Sequence, residues 1–393
     1  MSRSIITGID VGTKHVKVVI ADARSKTEKG LPKIIGLGIA ESRGLRHGYI
    51  TNIRDAAESI RSAINNAQEK AGVKIKKAFV GVGGIGLSGI TVTSSIMTSR
   101  ADAEITALDL KKLREQNERD IPRQAIANRR IVYDIPLLYK IDGIPALGMP
   151  EGMIGNKVEL KTLFMTCLDH HVTDLVQAVN ETGIEVEDIM VSPVAAGFVT
   201  LSKTQKIAGC VLANIGAETV SIAVFENNIP TSLEVFSIGS TDITNDIALG
   251  LKVPLEEAEQ IKIGAITGSS YPRKKLEEIV SARMSDVFEL IEAHLKKIGR
   301  NGLLPAGIVL TGAGAGLNAI ETLAGADLRL PARIGSIGMT EGKPSSRDTV
   351  WAVAYGLCVW GIHAEEGLEI DTSVQFLKKS WKALTRFFKQ FLP

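Results

Sequence analysis

Two short segments hold residue types suited to a polyphosphate. The first is Asp10-Val11-Gly12-Thr13-Lys14 and the second is Asn214-Ile215-Gly216-Ala217-Glu218. A glycine in a tight turn has no Cβ, so backbone N–H groups can approach phosphate oxygens there. Thr13 adds a hydroxyl and Lys14 a cation. Asp10 could hold a hydrated Mg²⁺ through water, because that ion gives up its water reluctantly. One such loop on each of two lobes would grip a triphosphate from both sides. Either loop alone reads as an ordinary β-turn. The pair in register, with a third glycine-rich corner at Thr311-Gly312-Ala313-Gly314-Ala315-Gly316, points to a nucleotide.

Periodicity gives the elements that must position these loops. Ile5–Ile9 and Val16–Ile20 read as strands around a tight loop, and Ile34–Ala40 as a third strand. Asn52–Ala71 has helical spacing and ends at Gly72, and Ala78–Val82 is a short buried strand. Residues 84–161 change texture: β-like stretches flank a polar helix around Leu108–Asp120, which suggests a small inserted α+β module. The buried strand-then-helix pattern resumes at Leu163–Cys167 and His171–Thr182, and Ile189–Leu201 reads as a linking segment. Residues 9–20 (IDVGTKHVKVVI) and 213–224 (ANIGAETVSIAV) match at a constant shift of 204, which suggests two related lobes. Helical spacing fills Asp242–Gly264 and Arg273–Ile298. A strand at Gly307–Leu310 enters the glycine corner, with a helix expected from Leu317, and Asp348–Ile362 reads as the last globular helix. Gly84-Ile85-Gly86-Leu87-Ser88-Gly89 fits a dinucleotide fingerprint, but the β-branched Ile90-Thr91-Val92-Thr93 follows where that motif needs a helix.

Composition excludes several classes. Hydrophobic residues are 45% of the 393 and charged residues 23%, which suits a globular chain of two or three domains. A net charge of +2 argues against nucleic-acid binding through bulk electrostatics. Cys167, Cys210 and Cys358 lie far apart, without metal or disulfide spacing. The N-terminus lacks a signal-peptide core, and Val350–Ile362 is too short to span a bilayer of ~30 Å. A cytoplasmic chain is expected. His170-His171 and the Arg123, Arg129, Arg130 group read as structural or solvated residues.

The C-terminal segment is different. On a helix at ~100° per residue, Val374, Leu377, Trp381, Leu384, Phe388 and Leu392 share one face, which Phe376, Phe387 and Phe391 widen. Lys378, Lys379, Lys382, Arg386 and Lys389 share the opposite face, and no acidic residue follows Asp371. This pattern suits a helix lying in an anionic membrane interface. A helix docked on the chain's own core, or in a partner's groove, is the other reading.

The order of phosphate loop, linking segment, second phosphate loop and adenosine loop resembles the actin, sugar-kinase and heat-shock-chaperone superfamily. GIDVGTKHVKVVI, VSPVAAGFVTLS and GIVLTGAGAG, with the insertion and the basic tail, resemble the FtsA family over essentially the whole chain. The resemblance implies an α/β, actin-like fold of two related ribonuclease-H-like lobes, an inserted α+β subdomain and a C-terminal amphipathic helix. It implies a first lobe (1A) of 1–83 and 162–204 with 348–363 returning to it, and an inserted 1C subdomain, 84–161, that contacts neighbouring subunits. The second lobe (2A) would be 205–244 and 301–347, and the 2B subdomain 245–300. An acidic linker, 364–373, and a membrane helix, 374–393, would follow.

It further implies ATP and Mg²⁺ as cofactors. Asp10, Gly12, Thr13 and Lys14 would form the first phosphate loop and Asn214, Gly216, Ala217 and Glu218 the second. Glu259 and Lys262 would lie by the ribose and adenine, and Gly312 and Gly314 along the adenosine, with Asp10 reaching Mg²⁺ through water. Phe376, Leu377, Lys378, Trp381, Lys382, Leu384, Arg386, Phe387, Phe388, Lys389 and Phe391 would bind the membrane. The implied role is a peripheral protein on the cytoplasmic face of the cell membrane at the division site. It would self-assemble into filaments, bind the FtsZ C-terminal peptide through 2B and contact other division proteins, but not nucleic acid. The second loop departs from the family's D-I-G-G-G-T: Asn214 has no charge for Mg²⁺-bound water and Glu218 adds a side chain beside the phosphates. Slow or negligible hydrolysis is therefore expected, although Glu218 could instead reach Mg²⁺. An actin-like pilus-assembly platform is the alternative. A sugar kinase is disfavoured because no carboxylate base stands out.

Overall fold

The computed structural model describes residues 4–27, 30–265, 271–317, 319–338 and 346–366. Alternating apolar residues build β1 (Ile5–Val11), β2 (His15–Lys26) and β3 (Pro32–Glu41), followed by a small hairpin of β4 (Leu45–Arg46) and β5 (Tyr49–Ile50). A helix at Ile53–Ala71 starts where Asn52 accepts the Asp55 N–H and ends at Gly72, whose φ of 65° an L side chain would resist. After β6 (Lys77–Val82) come β7 (Ser88–Met97), β8 (Arg129–Ile141), β9 (Ile144–Pro145) and β10 (Lys157–Leu168). The later strands are β11 (Glu185–Val191), β12 (Cys210–Ile215), β13 (Val220–Glu226), β14 (Ile229–Phe236), β15 (Ile308–Thr311) and β16 (Ala332–Ile334).

Met1–Leu87 and His171–Trp360 form one compact unit, which contains two five-stranded sheets of one design. Their orders are β3-β2-β1-β6-β11 and β14-β13-β12-β15-β16. In each, the first three strands are antiparallel and the last three parallel. Ile9 pairs with Val18 in the first sheet, and Ala213 pairs with Ile222 in the second. Both partners are thus shifted by the 204 residues of the sequence repeat. The parallel neighbours correspond too: Gly8 faces Phe79, and Leu212 faces Val309.

The helix Ile53–Ala71 buries Ala56, Ile60, Ala63 and Ala67 on the first sheet's side. The helix Ala352–Glu366 returns to that sheet: the Tyr355 hydroxyl donates to Pro32 O at 2.8 Å and Trp360 stands edge-on to Phe79. The second sheet packs Val211, Ile222 and Leu310 against Ile243, Phe288 and Ile291 of the helices Ser240–Leu251 and Arg273–Lys297. A second unit is built on Ser88–His170. Its antiparallel sheet runs β7-β10-β8-β9, and the helix Ala107–Arg119 packs Leu110 and Leu113 with Tyr139, Val158 and Leu160. A reciprocal Thr106–Asp109 cap starts that helix.

Three expectations are corrected. The seam at 161/162 falls inside β10, which pairs with β7 and β8 throughout, so Leu163–Cys167 belongs to the inserted sheet. Thr162–Cys167 is buried on both faces, and such a run reads like a strand of a parallel core. Residues 189–201 are the end of β11 and a buried helix, Ser192–Thr200, with proline in its first turn, rather than a plain linker. The glycine corner continues as a 3₁₀ turn, Ala313–Gly316, and the α-helix starts at Ile320, not Leu317. Among the described residues, no helix is long and apolar enough to cross a membrane. The three cysteines are free and buried, and burial pushes the Cys167 and Cys210 thiols up to about 11.

Asp188 on β11 gives a pH prediction. Burial pushes its carboxyl up to about 6 from 3.8, while Oδ1 accepts the Ile189 N–H at 2.8 Å. The folded state holds this proton more tightly than the unfolded chain. The stabilisation is therefore complete below about pH 4 and is lost as pH rises through about 6. Asp188→Asn keeps the acceptor and removes the charge. Denaturant unfolding should show a gain of about 2–3 kcal/mol at pH 8 and near equality at pH 4. An equal gain at both pH values would contradict burial of the charge as the cause.

Candidate nucleotide cleft

The two hairpin turns are built alike. Gly12 N–H donates to His15 O at 3.2 Å, and Gly216 N–H donates to Thr219 O at 2.9 Å. Ser42 fastens the first turn: its Oγ donates to Gly12 O at 2.6 Å and its N–H to Lys14 O at 3.0 Å. The helix Ser240–Leu251 starts on the second turn, with Ser240 N–H donating to Gly216 O and Thr241 N–H to Ala217 O. Among the described residues, the N–H groups of Thr13, Lys14, Ala217 and Glu218 meet no acceptor within the protein. These are the donors a phosphate would take.

Charged groups converge beside the turns. Lys14 of the first hairpin forms an ion pair with Glu259 on the helix Leu255–Lys262. Glu259 also accepts Lys262 Nζ and Thr244 Oγ1, each at 2.6 Å. Lys262 Nζ donates to Ser240 O at 2.9 Å, which ties the cluster to the base of the second hairpin. Burial alone would raise the Glu259 carboxyl, but hydrogen bonds from Lys14, Lys262 and Thr244 hold it at about 2. Burial lowers the Lys262 ammonium, and Glu259 offsets part of that. His15 is lowered first by burial and then by the cations Lys17 and Lys14.

Asp10 accepts Lys17 Nζ through Oδ2 at 2.9 Å. These two are cross-strand partners, and the equivalent pair in the second sheet is Asn214 with Ser221. A charged pair in one lobe thus corresponds to a neutral pair in the other. Glu218 turns to the first lobe, where Oε2 accepts the His47 N–H at 2.5 Å. Gly312 has φ 84°, and a Cβ there would lie 2.5 Å from both Asn214 Oδ1 and Ile215 O. At Gly314 a Cβ would meet Ile215 Cγ2 at 2.2 Å. Both glycines let the third corner press on the end of β12.

The fold thus joins Lys14, Glu259 and Lys262 directly, and sets Gly312 on Asn214. The tail residues Phe376, Leu377, Lys378, Trp381, Lys382, Leu384, Arg386, Phe387, Phe388, Lys389 and Phe391 lie outside the described residues. His171 Nε2 meets Gly83 O at 3.1 Å, and no metal-holding cluster of three or more His, Cys, Asp or Glu occurs among the described residues. Lys17, Ser42, His47 and Thr244 were not legible as site residues. Only Lys17 carried a signal, because hairpin register sets it opposite Asp10.

The family model "Cell division protein FtsA" matches residues 211–356. The chain is 30% identical over 398 residues to the cell division protein FtsA of Pseudomonas aeruginosa, covering 95% of this chain and 93% of that protein. It is 31% identical to that of Borreliella burgdorferi, covering 85% of each. Among solved structures, a PilM–PilN type IV pilus biogenesis complex matches with TM-score 0.67 and 17% identity over 92% of this chain and 99% of that one. MreB5 of Spiroplasma citri bound to ADP matches with TM-score 0.52 and 13% identity over 93% and 99%. At such identities these two likenesses concern the fold, which is actin-like. With the sequence kinship running nearly end to end, this chain belongs to the FtsA family of cell division proteins.

Proposed function

We propose that the chain binds ATP with Mg²⁺ between its two lobes, polymerises on the cytoplasmic face of the cell membrane and tethers FtsZ filaments there at the division septum. The observation that carries this reading is the duplicated hairpin pair, in whose turns the N–H groups of Thr13, Lys14, Ala217 and Glu218 meet no acceptor among the described residues, beside the Lys14–Glu259–Lys262 cluster. Thr13, Lys14, Ala217 and Glu218 would offer backbone amides to phosphate. Glu259 would exchange its Lys14 contact for ribose hydroxyls, with Lys262 by the adenine and Gly312 and Gly314 along the adenosine. Asp10, already paired with Lys17, suits an ion that keeps its water and is held chiefly by phosphate oxygens. Asn214, which has no charge, and Glu218, whose carboxylate is taken up by His47, support slow hydrolysis.

Ser88–His170 would serve as 1C at subunit contacts, and 245–300 as 2B, the receptor for the FtsZ C-terminal peptide. Residues 374–393 would be the membrane helix. The test is a three-component pelleting assay. FtsZ filaments should sediment with anionic liposomes only when the full chain and ATP are present. Failure of FtsZ to sediment, with the chain itself on the liposomes, would refute the tethering role.

A further inference from the structure

We infer that the turn Arg46–Tyr49 is a positioning element. It links the second phosphate hairpin to both points where the chain leaves and re-enters the first unit. The inference rests on that hairpin taking phosphate, as proposed above.

At one end of the link, the His47 N–H donates to Glu218 Oε2 at 2.5 Å. His47 Nδ1 lies 3.9 Å from the same oxygen and is a buried atom with no hydrogen-bond partner. His47 itself has φ 49°, a left-handed conformation that is unfavourable for a non-glycine residue. The turn is thus held in an unfavourable shape by contacts on both sides.

At the other end, Gly48 rests on Gly84. A Cβ on Gly48 would lie 2.3 Å from Gly84 Cα, and a Cβ on Gly84 would lie 3.1 Å from Gly48. Both residues have positive φ, 82° and 86°. This backbone-on-backbone contact needs glycine on each side. Ile85 N–H donates to His47 O at 3.3 Å. Tyr49 stands edge-on to the His171 ring at 4.9 Å, and His171 Nε2 meets Gly83 O at 3.1 Å. Gly83–Leu87 is the last stretch of the first unit before β7, and His171 is its first residue on return. One turn therefore touches both crossing segments and Glu218.

The chemistry gives the link its direction. A phosphate on the amides of Ala217 and Glu218 brings negative charge beside the Glu218 carboxylate. Like charges repel, so the bound phosphate disfavours the Glu218 carboxylate where it stands. Glu218 then gives up the His47 N–H, and the strained turn loses the contact that holds its shape. By linkage, whatever holds the crossings in place also alters nucleotide affinity.

The test is hydrogen–deuterium exchange on the full chain, following peptides over 44–50, 83–88 and 168–173. Without nucleotide, Glu218→Ala should raise exchange at least five-fold in all three, including the Ile85 amide. Glu218→Gln keeps an acceptor and should restore protection. Adding Mg·ATP to the natural chain should raise exchange in the same three peptides, with binding followed in parallel by a fluorescent ATP analogue. A rise in Glu218→Ala confined to 44–50 would overturn the link. So would ATP that binds without changing 83–88 and 168–173. An absence of ATP binding would refute the nucleotide reading instead, while the nucleotide-free comparison still decides the link.

Discussion

Removing everything after Asp371 is expected to release the chain from anionic liposomes with which the full chain sediments. The segment carries Lys378, Lys379, Lys382, Arg386 and Lys389 without a single acid. Each cation near an anionic surface contributes about 1 kcal/mol, so the five together contribute about 5 kcal/mol before any apolar burial. On a helix, Trp381, Phe387, Phe388 and Phe391 would supply that burial from the other face. Reversing Lys378, Lys382 and Arg386 to glutamate should lower partitioning by at least roughly 100-fold, since about 3 kcal/mol of attraction becomes repulsion. Raising salt should weaken binding of the full chain in the same sense. If the full chain and the truncated one both stay in the supernatant, the tail packs on the chain's own core or on a protein partner rather than on lipid.

Gly312→Ala is expected to damage stability and nucleotide binding together. With φ 84° and ψ 178°, Gly312 occupies a region essentially reserved for glycine, which costs an alanine roughly 1–3 kcal/mol. The added Cβ would also lie 2.5 Å from Asn214 Oδ1 and Ile215 O, so the corner must move off the end of β12. Overpacking of this kind adds roughly 1–3 kcal/mol. A fall in Tm of roughly 5–20 °C follows at about 2–4 °C per kcal/mol. Because Asn214 and Gly216 belong to the displaced hairpin, ATP affinity should drop at least ten-fold. Gly72→Ala is the control: its φ is 65° but nothing lies within 4 Å of the added Cβ. It should show the backbone cost alone and unchanged ATP affinity. Equal effects from the two substitutions would show that the contact with β12 does not matter.

The hairpins and their duplication were legible because both rest on local pattern. Apolar alternation sets β1, β2, β12 and β13, and a glycine marks each turn, so the shift of 204 in sequence became the same register in both sheets. The boundary of the inserted module was not legible at 161/162. Burial on both faces of Thr162–Cys167 erases the alternation that would have assigned it to the inserted sheet. The fingerprint at Gly84–Gly89 was rightly set aside, since β7 and not a helix follows it. Glycine spacing alone, however, could not reveal that Gly84 is needed against Gly48. His47, Ser42 and Thr244 reach the cleft through contacts between segments 30 to 171 residues apart, or across two helices. No local pattern encodes such distances. Lys14 was legible in its loop and Glu259 only through family resemblance, and their ion pair across 245 residues was not foreseen.

The measurement that bears most directly on the account is calorimetric titration of the full chain with Mg·ATP, repeated with Lys14→Ala. The account predicts one saturable site per chain, weakened about ten-fold or more when the lysine that serves the first hairpin is removed. No heat of binding up to millimolar ATP, or binding that Lys14→Ala leaves unchanged, would contradict the assignment of the paired hairpins as a nucleotide cleft.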